Sequence, residues 1–145
     1  MVIHRRFLKI ALPLFSLLLL LSLLLFAFYP KKEEEAVRFA VLLILDEPFV
    51  HSFTVGDELI DGATKEPLGR VTEALVSPAY EETENGVFSL PGKSRVILTV
   101  TGKGILLDGK ITVGGSSLLT GKRLSLHGRG VAEGVCLWAR QESTV

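Results

Sequence analysis

The run "IALPLFSLLLLLSLLLFAFY", Ile10 to Tyr29, sets the first limit on this chain, because it is 20 residues long and carries no charge. A helix of that length covers roughly 30 Å, the thickness of the hydrocarbon core of a bilayer. A buried core helix of a soluble protein would keep a polar stripe for its solvent side, and this run has none. Pro13 falls near its start, where a missing backbone donor does least harm. Phe26, Phe28 and Tyr29 fall where the far interface would lie. A cleaved signal peptide would have a shorter apolar region ending in a small-x-small site. The exit here reads Phe26-Ala27-Phe28-Tyr29, and it holds no Cys for lipid attachment. The expectation is an uncleaved anchor over residues 10–29, with the lipid bilayer as its partner.

The flanks suggest the orientation. Arg5, Arg6 and Lys9 precede the run, and Lys31 and Lys32 follow it. Acidic residues count for little in this rule, so Glu33 to Glu35 do not decide it. The short basic tail, residues 1–9, favours an N-terminus inside the plasma membrane and a C-terminal domain outside the cytoplasm. Residues 30–36 read as a charged linker, residues 37–140 as the extracytoplasmic domain, and 141–145 as a C-terminal tail. From Lys31 onward the chain has 13 Lys/Arg against 16 Asp/Glu. A mildly acidic domain is a poor partner for nucleic acid. Its single thiol, Cys136, cannot form an internal disulfide, so about 110 residues must be held by their core.

Beyond the anchor the apolar pattern is that of strands. "AVRFAVLLIL" (36–45) is apolar on both faces, as a central strand would be. In "DEPFVHSF" Asp46 is placed to cap one helical turn, with Pro48 in its first turn. "LGRVTEALV" (68–76) reads as a strand. Asn85-Gly86 reads as the centre of a type I′ hairpin joining "AYEET" to "VFSL". "SRVILTVTG" alternates, with Val96, Leu98 and Val100 on one face, and Asp108-Gly109 punctuates the chain before "KITV". "RLSLH" puts Leu124 and Leu126 inward and Arg123, Ser125 and His127 outward, and "VAEGVCLWA" (131–139) closes the domain. Seven or eight short strands, with turn signals every 8–12 residues or so, predict an all-β domain, a small barrel or sandwich, behind one transmembrane helix.

The order of these pieces resembles a known family. "VGDELIDGATKEPLGRVTEALV", then "RVILTVTGKGILLDGKITVGG", then "GKRLSLHGRGVAEGV", behind one N-terminal anchor, is similar to the domain of unknown function 4330 family of bacterial membrane-anchored proteins. The resemblance covers roughly Val37 to Val135. Its most specific pieces are Gly56-Asp57, Leu68-Gly69-x-Val71 and Ile111-Thr112-Val113-Gly114-Gly115. It implies a fold and an address but no activity and no catalytic residue. The layout of anchor, spacer and β-barrel with "LGRV" is also similar to lipid-transport subunits of the mammalian-cell-entry type.

No candidate chemistry outweighs a simpler account of its residues. Gly104-x-x-x-x-Gly109-Lys110 matches most of a phosphate-binding loop, but Ile111 stands where a Ser or Thr should be, and no helix follows. Asp57, Glu58 and Asp61 could offer oxygen to a cation such as Ca²⁺, yet Asp before Gly is ordinary turn chemistry. His51, His127 and Cys136 lack a zinc spacing. Cys136 reads as a small buried hydrophobe. Trp138, beside Arg140, reads as core, with an exposed partner patch as the alternative. Gly56-Asp57 and Leu68-Gly69 read as structural turns. No catalytic, cofactor-binding or metal-binding residue is therefore assigned, and no cofactor. The expected function is a non-enzymatic binding or scaffolding module of the cell envelope with an envelope protein as partner. The alternative is a subunit of an envelope transport assembly for lipid or export.

Overall fold

The computed structural model describes residues 2–29 and 33–142. Residues 30–32 of the expected linker, with Lys31 and Lys32 of the basic flank, and residues 143–145 of the expected tail lie outside them, as does residue 1. The chain divides into two compact units, Met1–Lys32 and Glu33–Val145.

The first unit is one helix, α1 (Val2–Phe28). Its stretch Arg5–Phe28 is long and apolar enough to cross a membrane. The helix starts well before the apolar run, so Pro13 is interior to it and not near its start. The carbonyl of Lys9 therefore lacks its usual donor four residues on.

The second unit is all β. Its strands are β1 (Glu35–Asp46), β2 (Glu58–Asp61), β3 (Pro67–Thr83), β4 (Gly86–Leu107), β5 (Lys110–Val113), β6 (Ser116–Ser117), β7 (Arg123–His127) and β8 (Val131–Gln141). A 3-10 helix, Glu47–Ser52, follows β1. Six strands run in the order β1-β8-β7-β2-β3-β4, and β4 returns to pair with β1, so the sheet closes into an antiparallel barrel. β5 and β6 extend from the far end of β4. Along its paired length, closure removes the sheet edges that an open sheet would have to protect.

The barrel encloses one core. Phe39, Val41, Leu43, Val96, Leu98 and Leu126 are fully buried, and they come from alternate positions of three strands, as the period of two requires. Truncating one large member, Phe39→Ala, belongs to the class that costs about 3–5 kcal/mol. The expected inward sets, Val96-Leu98-Val100 and Leu124-Leu126, face this core.

Several local expectations need correction. β1 has strands on both sides, but its outer face is not covered throughout, and Ile44 is 48% exposed. Asp46 is the N-cap of the 3-10 helix, but its side chain makes no capping hydrogen bond. The Asn85-Gly86 hairpin exists with its turn one residue earlier: Thr83 pairs with Gly86, so Glu84 and Asn85 are the central residues. Neither has a positive φ. A turn with Gly at its last position is a type I preference. The two-residue turns with both φ angles positive are Asp108-Gly109, at 51° and 75°, joining Leu107 to Lys110, and Gly114-Gly115, at 57° and 76°, joining Val113 to Ser116.

Gly69 is not in a turn. It lies inside β3, opposite Leu59 of β2, next to a register shift. Its φ is 139°, and a Cβ there would strike the backbone of Thr101 and come within 2.8 Å of the Gly102 Cα. The pair Gly69 and Gly102 lets β3 and β4 approach more closely than side chains permit.

Trp138 is not core. Ala40 pairs with Trp138 and Val41 with Cys136, so Leu137 is an extra residue in β8. The bulge reverses the alternation. Cys136 and Ala139 face the core, and Trp138 turns outward, 37% exposed, with the Arg140 guanidinium 5.0 Å from its ring centre.

Candidate functional site

The three carboxylates of the acidic turn do not converge. Asp57 is nearly buried; its Oδ2 accepts the Thr54 N–H at 2.9 Å and its Oδ1 meets the Arg129 Nε at 3.2 Å. Glu58 points to the Arg70 guanidinium, 2.9 Å away. Asp61 is buried, and it accepts the N–H groups of Ala63 (2.8 Å) and Thr64 (3.3 Å) and the Ser116 hydroxyl. Burial pushes the Asp61 carboxyl up, but these donors and the charge of Lys122 outweigh it and leave the group below its ordinary value. Among the described residues no three of His, Cys, Asp and Glu are gathered as they would be to hold a metal ion.

The imidazoles of His51 and His127 and the Cys136 thiol are also apart in their surroundings. His51 is exposed in the 3-10 helix. His127 ends β7 on its outward side, whereas Cys136 faces the barrel interior and is fully buried. Burial raises the Cys136 thiol above its usual value, against a smaller opposite effect of its hydrogen bond to the Trp138 carbonyl. The glycine-spaced segment 104–110 is the hairpin from β4 to β5. It offers no helix N-terminus to a phosphate.

A feature outside the candidate residues above is a slot in the barrel wall. β1 and β8 pair from Val37–Gln141 to Leu42–Val135, and there the ladder stops. Both strands continue: β1 to Asp46, still paired with β4, and β8 back to Val131, still paired with β7. Leu43 to Asp46 and Val131 to Gly134 therefore lie on opposite walls without pairing to each other.

The hydrogen-bonding parity shows which backbone groups face the slot. The Glu142 N–H donates to the Ala36 carbonyl, so the even residues of β1 turn their polar groups towards β8. The Cys136 N–H donates to Lys122 and its carbonyl accepts from Gly121, so the even residues of β8 below the bulge turn towards β7. Ile44 on one wall, and Val131 and Glu133 on the other, then direct their N–H and C=O groups into the slot; Asp46 directs its N–H there, while its carbonyl opens the 3-10 helix. The register pairs none of these four residues with one across the slot.

The ends of the slot are closed by close approach. A Cβ on Gly134 would strike the Val41 side chain and come within 3.1 Å of the Leu42 carbonyl. A Cβ on Gly130 would come within 3.0 Å of the Ser52 Cβ. Between them lies a cavity of about 740 Å³ whose lining includes Ile44, Asp46, Phe49, Arg129, Val131 and Glu133. A smaller cavity of about 210 Å³ shares Ile44 and Glu133. The larger volume is in the range of ligand-binding pockets. Ile44, Phe49 and Val131 are exposed, at 48%, 58% and 72%. The arrangement can bind, through apolar contact and through backbone hydrogen bonds. No protein-family profile, no curated protein and no solved structure matches the chain.

One sequence signal for the slot did exist. "GRGVAEGV" sets a glycine on either side of Val131 to Glu133. Isolated glycines in a strand pattern mark close approach. What they approach is set by strand pairing across the whole domain, and no local pattern carries that.

Proposed function

We propose that this protein is a non-enzymatic binding or scaffolding module of the cell envelope, held by α1 in the plasma membrane with its barrel outside the cytoplasm. The observation that carries the reading is the apolar stretch Arg5–Phe28, none of whose most apolar 18-residue window is buried. Such a surface needs lipid around it. Basic residues at the N-terminal side favour that side being cytoplasmic. The likeness of "VGDELIDG", "LGRV" and "ITVGG" to the domain of unknown function 4330 family agrees with an anchored β-domain. Tethering would confine the slot to the membrane surface and raise the effective concentration of partners there. Binding is favoured over catalysis because the ionisable groups of the domain are engaged in structural pairs or kept apart, as Asp57, Asp61 and Cys136 illustrate.

The test is a pair of C-terminal fusions in a bacterial host, one to alkaline phosphatase and one to a fluorescent protein that matures only in the cytoplasm. Active phosphatase without fluorescence is expected, with the intact mass retained in the membrane fraction. Fluorescence without phosphatase activity would overturn the orientation. Release of a shortened chain from the membrane would overturn the anchor.

A further inference from the structure

We propose that the slot between β1 and β8 receives a short extended segment of a different polypeptide, which pairs with both free edges and completes the barrel wall. The proposal deepens the binding role above by naming the class of partner, and it rests on that role.

The chemistry of the walls selects the ligand. Ile44 faces the slot from one side and Glu133 and Val131 from the other, each presenting one N–H and one C=O, and Asp46 adds its N–H, since its carbonyl opens the 3-10 helix. Residues two apart in a strand are roughly 6.8 Å apart, and another extended backbone repeats its donors and acceptors at that same spacing. A lipid chain or a small apolar molecule could fill the cavity but would leave these groups without partners. Strand addition to an exposed edge is an established mode of peptide recognition, in which the backbone supplies affinity and side-chain pockets supply selectivity. Here the pocket is apolar on its rim, at Ile44, Phe49 and Val131.

The ends of the slot set the length. The Leu42–Val135 pair closes one end and the approach of Gly130 to Ser52 closes the other. About four residues, matching Leu43 to Asp46, can be engaged between them. The segment enters and leaves through the outer face. Because β1 and β8 run antiparallel to each other, the segment is antiparallel to one wall and parallel to the other. Its inward-facing side chains are apolar.

The test uses the full chain in neutral detergent micelles, so it does not depend on the topology measured above. The probe is a fluorescein-labelled, end-capped heptapeptide, Lys-Val-Thr-Val-Thr-Val-Lys. Its affinity is read by anisotropy, and its position by the amide shifts of Ile44, Asp46, Val131 and Glu133. Binding at or below ~1 mM is expected, with shifts centred on those four amides. Because both edges of the segment are paired, N-methylating either the Val or the Thr nitrogens should weaken binding by about tenfold or more. Val131→Trp, at an exposed position, should block the slot and Val131→Thr should not; Ile44→Trp repeats the test from the other wall if the first variant is misfolded. Equal binding of the N-methylated peptides would overturn the proposal in favour of an apolar pocket that ignores the backbone. No binding up to that concentration would overturn it outright. Self-association that both Trp variants abolish would overturn it in favour of a second copy of this chain.

Discussion

The carboxylate of Asp61 holds the chain reversal between β2 and β3 and ties it to β6. It takes two backbone N–H groups of its own loop and the Ser116 hydroxyl from 55 residues away. Asp61→Ala leaves these donors unpaired in a part-buried place, so it should cost about 1–3 kcal/mol, read by urea unfolding. Asp61→Asn keeps an acceptor for the loop and should cost less. The lowered proton affinity of the group fixes a pH dependence. A carboxylate whose folded pKa lies below its unfolded value contributes stability that is complete above the unfolded value, and that is lost as the pH falls through the folded one. Stability of the wild type should therefore decline below about pH 4, and the slope of that decline should be smaller in Asp61→Asn. Equal slopes would mean that Asp61 is not among the carboxylates responsible. Cys136 makes the opposite case. Its raised pKa and full burial keep it a protonated, sheltered thiol. A maleimide at neutral pH should leave it unmodified in the folded chain and modify it completely in denaturant. Rapid labelling without denaturant would place the thiol on the surface.

Among the elements, the crossing of β3 and β4 is the most sensitive to a single atom. Gly69→Ala puts a Cβ into the Thr101 backbone at a φ that L side chains avoid, and strain of this kind costs about 1–3 kcal/mol. Gly86→Ala serves as the comparison, since a Cβ there meets nothing within 4 Å although its φ is also positive. Gly69→Ala should lower the melting temperature more than Gly86→Ala, because it adds a collision to the unfavourable angle. A smaller shift for Gly69→Ala would mean that the two strands can separate freely at that point. The sequence placed these elements better than it placed their irregularities. Alternation in "SRVILTVTG" and "RLSLH" reported which side chains face the core, because the period of two is local. The extra residue Leu137 is not local. It is defined by where Ala40 and Val41 fall opposite β8, so Trp138 read as core from its own strand and lies outside. Gly69 read as a turn for the same reason, since what confines it is the backbone of a strand some 30 residues on.

At the scale of the whole chain, apolar residues serve two separate ends. Those from Val37 to Cys136 form a single core inside the barrel, whereas the side chains of α1, from Ile10 to Phe28, form an exposed, uncharged and largely apolar surface. The length and lack of charge of α1 were plain in the sequence, and so was the β class of the remainder. Closure of the barrel was not, because it depends on β4 pairing with β1 some 60 residues earlier. The slot was less legible still, since it is the place where a pairing implied by register is not made. This division of labour leads to a prediction about the isolated β-domain. No residue of the core cluster comes from α1, and the domain carries roughly 110 residues, a size at which a single core ordinarily suffices for folding. A chain starting at Glu33 should therefore be soluble, give a β-type circular dichroism spectrum and unfold in one cooperative step. Its melting temperature should match that of the β-domain in the full chain held in detergent. The same fragment should lose membrane association entirely, because the only segment among the described residues long and apolar enough to cross a membrane has been removed. An aggregated or helical fragment would show that the barrel depends on α1 for its fold. A fragment that folds but still floats with vesicles would instead show that the barrel surface binds lipid directly.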